Sequence, residues 1–199
     1  MKIYETEDKK YLDEIVEIHL KTFKGFFLTE LGAGFLRTLY KGYMTDKSSG
    51  IIVAVENGEV NGFIAYSKDY SSFYRNLIKR SIFKFAFYSM IAIIKHPSFI
   101  GRLLAAFKKS DEVSRDEKYV ELASIGVLPM CKGKGIGTSL IEYLKGMVDF
   151  DKYSYISLET DAEGNDNVNA FYIKNGFKLA RNYVTAQGRA MNEFHYSNI

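Results

Sequence analysis

The chain has 199 residues, of which 47% are hydrophobic and 26% are charged, so it contains enough apolar material for a folded core. Its single cysteine, Cys131, excludes a disulfide framework and a cysteine-rich metal site, and its three scattered histidines lack metal-ligand spacing. The start is polar, and the longest apolar run has about 14 residues against the ~20 of a membrane span, so we expect a cytoplasmic protein. We also expect that the protein binds neither a metal ion nor nucleic acid.

The first third of the chain predicts a strand, two helices and a hairpin. "KIYE" predicts a short strand, and "DKKYLDEIVEIHLKTF" predicts a helix with Asp8 as its cap, because apolar residues recur near helical spacing. "TELGAGFLRTLYKGYM" predicts a second helix, capped by Thr29 and weakened by two internal glycines. Two β-rich runs flank Asn57-Gly58, the pair that a type I′ hairpin turn prefers.

Residues 70–115 interrupt the alternation of strands and helices. They predict two amphipathic helices broken near His96-Pro97, since a proline and the residue before it both resist helical geometry. Residues 71–110 carry eight basic side chains and no acidic one, whereas the whole chain has a net charge of only +3. Connections this long inside a domain usually have a function. We expect a helical insertion that serves as a lid for an anionic acceptor, as a homodimer contact or as a peripheral membrane contact.

The last part of the chain predicts a strand, a glycine-rich turn, a helix, a strand, a helix and two final strands. The strands are expected at "KYVELASIGV", "YSYISLET", "FKLARNYVT" and "MNEFHYS". The helices are expected at "GTSLIEYLKGMVDF" and at "NDNVNAFYIKN", the second ended by Gly176 in a left-handed cap position. No internal repeat or low-complexity linker appears, so we expect one domain over residues 1–199.

The turn "CKGKGIGTSL" has glycines at alternate positions with Lys132 and Lys134 between them. Glycines allow several backbone N–H groups to converge on one anion, and the N-terminus of the following helix adds a favourable dipole. The turn lacks the lysine of a P-loop after Gly137 and the third glycine of a dinucleotide-binding turn. It predicts a phosphate site of another kind; the alternative is a flexible connector whose lysines are exposed for solubility.

This order of elements, with two motifs, resembles the GNAT superfamily of acyl-CoA-dependent N-acetyltransferases. The first family signature is met by Lys132, Gly135 and Gly137, with lysine where the family has arginine or glutamine, so bidentate geometry is lost. The resemblance covers about residues 1–70 and 116–196. The second signature, with valine in place of the usual alanine, is met by Asn165, Val168, Tyr172, Lys174, Gly176 and Phe177.

The resemblance implies an α/β fold with a twisted, mixed and mostly antiparallel sheet of six to seven strands and helices on both faces. It implies acetyl-CoA as the acyl donor and direct attack by an amine. The basic insertion beside the expected amine site suggests a small acceptor of amino-sugar type, phosphate-bearing in one version. The cofactor-binding residues that it implies are Ile125, Val127, Lys132, Gly133, Lys134, Gly135, Ile136, Gly137, Thr138, Asn165 and Tyr172.

Catalytic roles also follow from the resemblance. Backbone N–H groups near Val127 would polarise the thioester carbonyl, and Tyr172 would protonate the departing thiolate. Glu121 would accept the proton of the amine; it lies six residues before Val127, so on an alternating strand both would share a face.

Other roles for these residues stay open. Tyr172 is alternatively a core aromatic, and Glu121 a surface partner of Lys118. His19, His195 and Tyr183 are weaker candidates for the base, with no motif behind them. The rival functions are a noncatalytic acyl-CoA-binding module and a protein that binds membranes or polyanions through its basic insertion.

Overall fold

The computed structural model describes residues 1–95, 97, 101, 117–185 and 187–198. Seven strands form one sheet in the order β1-β2-β3-β4-β5-β7-β6, and β4 and β5 are its parallel pair while the other pairs are antiparallel. The strands are β1 (Lys2–Thr6), β2 (Ser49–Glu56), β3 (Glu59–Ser67), β4 (Tyr119–Val127), β5 (Tyr155–Asp161), β6 (Lys178–Val184) and β7 (Ala190–Tyr196). The predicted mixed and mostly antiparallel sheet is confirmed.

The helices in the described part of the chain lie between these strands. They are α1 (Leu12–Thr22), α2 (Phe27–Glu30), α3 (Ala33–Thr45), α4 (Tyr70–Lys95), α5 (Ile136–Met147) and α6 (Asp166–Lys174). Asp8 caps a 3-10 turn that leads into α1, because its carboxylate accepts the backbone N–H of Lys10 at 3.0 Å.

The helix predicted from Thr29 onward is wrong in one respect, since the segment forms α2 and α3 as separate helices. Gly32 lies between them with φ +88°, a left-handed conformation that ends one helix before the next begins. Thr29 is not a cap, because its hydroxyl donates a hydrogen bond to the carbonyl of Phe23 at 2.6 Å. The predicted hairpin is confirmed, with positive φ at both Asn57 and Gly58.

Helix α4 occupies the first part of the predicted insertion and has 26 residues. It ends at Lys95, next to the predicted break, and the second predicted helix lies outside the described residues. The amphipathic character expected of α4 is wrong, because apolar side chains lie on both sides of it: Phe85 and Ala92 are buried, whereas Phe83 and Phe87 are exposed. None of the described helices is long and apolar enough to cross a membrane.

The helices pack on opposite faces of the sheet through two apolar clusters. Side chains of α1, α3 and α4 form one cluster, and side chains of α5 and α6 form the other. Strand β2 contributes to both, since Ile51 and Val53 point to the first cluster while Ile52 and Ala54 point to the second. Each buried aliphatic or aromatic side chain contributes about 1.5–3 kcal/mol, so the two clusters hold the sheet rigidly between its layers.

Candidate active site

A gap opens in the middle of the sheet, between the parallel strands β4 and β5. The two strands pair through only three residue pairs, Tyr119–Tyr155, Val120–Ile156 and Glu121–Ser157. Beyond these, β4 continues to Val127 against β3 alone, and β5 continues to Asp161 against β7 alone. The backbone groups of β4 that point toward β5 beyond Glu121 therefore have no partner in that strand, as an extended ligand would require.

The glycine turn follows the open end of β4 and begins α5. Gly133 and Gly135 both have φ +78°, and a side chain added at either would meet no atom within 4 Å. Helix α5 makes its first backbone bond from Ser139 N–H to Gly135 O, at 3.0 Å. The N–H groups of residues 136–138 precede this bond and have no acceptor inside the helix. The turn thus offers unoccupied space and several donors to an anion.

Two cations flank this turn. Lys132 and Lys134 are exposed, and neither forms an ion pair within the described residues. Their charges add to the positive end of the α5 dipole, so the potential at the turn favours a phosphate group.

Helix α6 packs directly on the start of α5, so the two sequence motifs meet. A Cβ atom added at Gly137 would lie 3.1 Å from Cζ of Phe171, closer than ordinary van der Waals contact, and 3.9 Å from Cγ2 of Val127. Glycine at this position therefore lets α6 approach both α5 and the end of β4.

Tyr172 lies on this side of the sheet, 6% exposed, with its ring centroid 5.9 Å from Phe177 and 6.1 Å from Phe194. Burial raises the pKa of its phenol well above the ordinary value, so the group stays protonated at neutral pH. No hydrogen bond to its hydroxyl is present within the described part of the chain. The side chain is therefore a core aromatic and also a neutral donor with no other partner there.

Asn165 immediately precedes α6 and ties it to the end of β5. Its side-chain amide donates to the Thr160 hydroxyl at 2.7 Å and to the Asp161 carbonyl at 3.3 Å. Its own carbonyl accepts from Asn169, from the backbone at 3.0 Å and from the side chain at 3.1 Å. These bonds position α6 against the gap.

Glu121 and Val127 point to opposite faces of the sheet, so the expectation that they share a face is wrong. A β-bulge interrupts β4, because Tyr66 pairs with Leu122 whereas Ala65 pairs with Ser124. The extra residue reverses the alternation beyond it. Glu121 consequently faces the layer of α1, α3 and α4, while Val127 packs with the α5 and α6 cluster.

The surroundings of Glu121 include phenols from two helices. Burial is the main cause that raises the pKa of Tyr43 and Tyr70 well above their ordinary values, and the negative charge of Glu121 raises both further. Tyr70 is the first residue of α4, so the insertion begins beside Glu121, as the lid hypothesis expects. Lys79 and Arg80, however, are exposed more than two turns farther along the helix.

A shallow cleft of about 210 Å³ lies at the far end of β5. Three segments distant in the chain line it, which is why sequence reasoning missed it: no local motif connects them. Arg189 donates two hydrogen bonds to one oxygen of Asp161, at 2.6 and 3.1 Å, and so fixes one wall. The lining residues are Lys24, Gly25, Phe26, Phe27, Asp161 and Arg189.

Two of the weaker candidates for the base, His19 and His195, already have hydrogen-bond partners, and the third, Tyr183, lies near a carboxylate. Nδ1 of His19 lies 2.6 Å from the Tyr40 hydroxyl, and Nε2 of His195 lies 2.6 Å from the buried carboxylate of Glu193. The charge of Glu159 raises the pKa of Tyr183, after the larger effect of burial. No group of three or more potential metal ligands occurs in the described segments.

A model of the acetyltransferase (GNAT) family matches residues 12–177 of the chain, which include both motifs and the gap. The chain belongs to the GNAT family of acetyltransferases. Membership makes acetyl-CoA its acyl donor. A search of curated proteins gave no match.

Solved structures of acetyltransferases share the fold at low identity. A ribosomal-protein-alanine N-acetyltransferase from Brucella melitensis is 15% identical with TM-score 0.62, and 99% of each chain is covered. A polyamine N-acetyltransferase from Drosophila melanogaster is 11% identical with TM-score 0.60, covering 98% of this chain and 100% of that one. A Bacillus anthracis protein named for streptothricin acetylation, solved with acetyl coenzyme A, is 16% identical with TM-score 0.52, covering 80% and 68%.

Proposed function

We propose that this GNAT protein transfers the acetyl group of acetyl-CoA directly to the primary amine of a small acceptor of amino-sugar type. The observation that carries the proposal is the gap between β4 and β5, which opens next to the glycine turn at the start of α5. The gap offers an extended chain those backbone groups of β4 that have no partner in β5, and the turn offers N–H donors to phosphates. An acyl-CoA molecule has both parts.

The turn would hold the pyrophosphate of the acyl donor. The N–H groups of residues 136–138 would supply hydrogen bonds, and Lys132 and Lys134 would supply charge. The pantetheine amides would take the place of a strand along β4, from Ile125 to Val127. The N–H near Val127 would then lie at the thioester carbonyl and stabilise the negative charge that develops there.

Direct attack needs one group that removes a proton from the amine and one that gives a proton to the thiolate. As the nitrogen–carbon bond forms and the carbon–sulfur bond breaks, the amine proton passes to Glu121, directly or through water, and the Tyr172 hydroxyl donates to sulfur. A phenol has a reference pKa of ~10, so Tyr172 carries the proton at working pH that this role needs. Solvent then restores the phenol proton.

The cleft beside Asp161 supports a small polar acceptor. It combines two phenylalanine side chains with the ion pair of Asp161 and Arg189 and with Lys24. Hydroxyl groups of a sugar would bond to the charged side chains, and an anionic substituent would be attracted to Lys24. Phe26 and Phe27 would contact the apolar face of the ring.

The test is release of free thiol from acetyl-CoA with a panel of amines: amino sugars, nucleotide-linked amino sugars, polyamines and peptide N-termini. We expect turnover with an amino sugar, and an acetylated product whose mass is increased by one acetyl group. Calorimetry on the same protein measures CoA binding independently. Tight CoA binding without turnover on any amine would contradict the proposal and favour a noncatalytic acyl-CoA-binding module.

A further inference from the structure

The outer face of α4 carries a stripe of exposed apolar side chains. Phe83, Phe87, Met90 and Ile94 are 88%, 66%, 50% and 73% exposed. Their spacing of four, three and four residues places them on one side of the helix, over a length of roughly 16 Å. Such a stripe on a helix surface normally faces a partner.

This stripe does not fasten α4 to the rest of the protein. Phe85 and Ala92 do so from the opposite side of the helix, together with Phe73 and Leu77 in the turns that precede the stripe. From the exposed fractions, the four outer side chains present roughly 500 Å² to solvent, if a large apolar side chain has an area of roughly 150–250 Å². A patch of that size is near the upper end for a monomeric protein and commonly marks an interaction site.

Cations surround the N-terminal end of the stripe. Lys79, Arg80 and Lys84 are exposed, and none of them forms an ion pair with any described residue. The sequence of α4 from Tyr70 to Lys95 contains no aspartate or glutamate at all. The outer face is therefore apolar and basic together.

We propose that the outer face of α4 docks on the surface of an anionic lipid bilayer. Phenylalanine side chains would enter the boundary between headgroups and acyl chains, while Lys79, Arg80 and Lys84 contact lipid phosphates. Long basic side chains suit this arrangement because their stems lie along apolar surface while their charged ends stay in water.

A second copy of the chain fits this face less well than a bilayer does. Two α4 helices in contact would bring their cations together without a carboxylate from either helix to neutralise them. The apolar area of roughly 500 Å² is also below the ~800 Å² per partner of a standard protein interface. A lipid surface supplies the anionic charge and has no minimum area.

The test is co-sedimentation of the full chain, without acetyl-CoA, with vesicles of phosphatidylcholine alone or with 30% phosphatidylserine. We expect binding to the anionic vesicles that weakens as salt rises. Replacing Lys79, Arg80 and Lys84 together with glutamine should weaken it on the order of 10²-fold, since each cation near the surface contributes about fivefold. The matched control replaces the exposed Lys9, Lys41 and Lys47 with glutamine and should keep most of the affinity.

The apolar part is tested by Phe83→Ser/Phe87→Ser against Leu179→Ser/Val184→Ser, two exposed apolar residues on β6. The first pair should release the protein from anionic vesicles and the second should not. Equal binding by every variant, or no binding to anionic vesicles, would overturn the proposal. A concentration-dependent dimer that Phe83→Ser/Phe87→Ser abolishes, seen in ultracentrifugation without lipid affinity, would overturn it in favour of a second copy.

Discussion

Replacing the buried His19 with glutamine should make the stability of this protein less sensitive to acid between pH 7.5 and pH 5. His19 is 3% exposed, and its Nε2 has no hydrogen-bond partner in the described structure. Burial lowers the pKa of His19 to about 4 from its ordinary value of 6.5. The folded protein therefore keeps the ring neutral where the unfolded chain already binds a proton.

The size of the effect follows from these two pKa values. Because the folded-state pKa is lowered, the contribution of His19 to the free energy of unfolding is complete above pH 6.5 and is lost progressively as pH falls toward 4. At pH 5 the unfolded chain gains about 2 kcal/mol from protonation of this one histidine, and about 3 kcal/mol once pH is below both values. The ring is well shielded from solvent, so screening reduces this little.

Urea unfolding followed by circular dichroism at both pH values measures the difference. Between pH 7.5 and pH 5 the free energy of unfolding should fall by about 2 kcal/mol more in wild type than in His19→Gln, whatever the carboxylates contribute to both. Tyr40→Phe is the matched control, since it removes the partner of Nδ1 and leaves the ring buried; it should keep the wild-type slope. Parallel curves for wild type and His19→Gln would refute the reasoning.

Further predictions concern the site and its support. Gly135→Val should weaken CoA binding at least tenfold in calorimetry, while Gly58→Val, which imposes similar strain in the distant hairpin, should leave it unchanged. Tyr172→Phe should lower kcat by ~10²-fold with little change in KM, and an unaltered kcat would remove its acid role. Glu121→Gln should move the pH optimum of turnover upward; an unchanged pH–rate profile argues for a water chain as base. Lys145→Met should cost about 2 kcal/mol in thermal unfolding, since its ammonium donates to the Asn175 carbonyl at 2.7 Å and lies 4.1 Å from the Tyr196 ring centre.

Features of the fold that depend on neighbouring residues in the sequence could be predicted. The strands follow from alternating β-rich runs, and Asn57-Gly58 specifies its turn by backbone preference alone. The division of α2 from α3 could not be predicted, because a glycine such as Gly32 is also tolerated inside helices. The amphipathic pattern expected of α4 was wrong because a local sequence does not show which apolar side of a helix the rest of the fold covers.

The same distinction applies to the candidate site. Both motifs are local, so the turn at Gly135 and the helix that bears Tyr172 were predicted where the structure has them. The face of Glu121 was not, because the bulge depends on how β4 registers against β3. The cleft lined by Lys24, Asp161 and Arg189 exists only after distant segments fold together. Contacts between segments that are distant in the chain leave no recognisable pattern in a single sequence.

The early separation of β4 from β5 creates two sheet edges in the interior of the protein, in addition to those at β1 and β6. Along each edge, backbone groups lack a partner in the facing strand, the feature by which β-proteins aggregate or exchange strands. A bound donor that covers these edges acts as a removable strand. At a hundred times its dissociation constant it would add about 2.7 kcal/mol to the free energy of unfolding. Preparations kept in CoA should therefore resist aggregation better than preparations from which it has been dialysed.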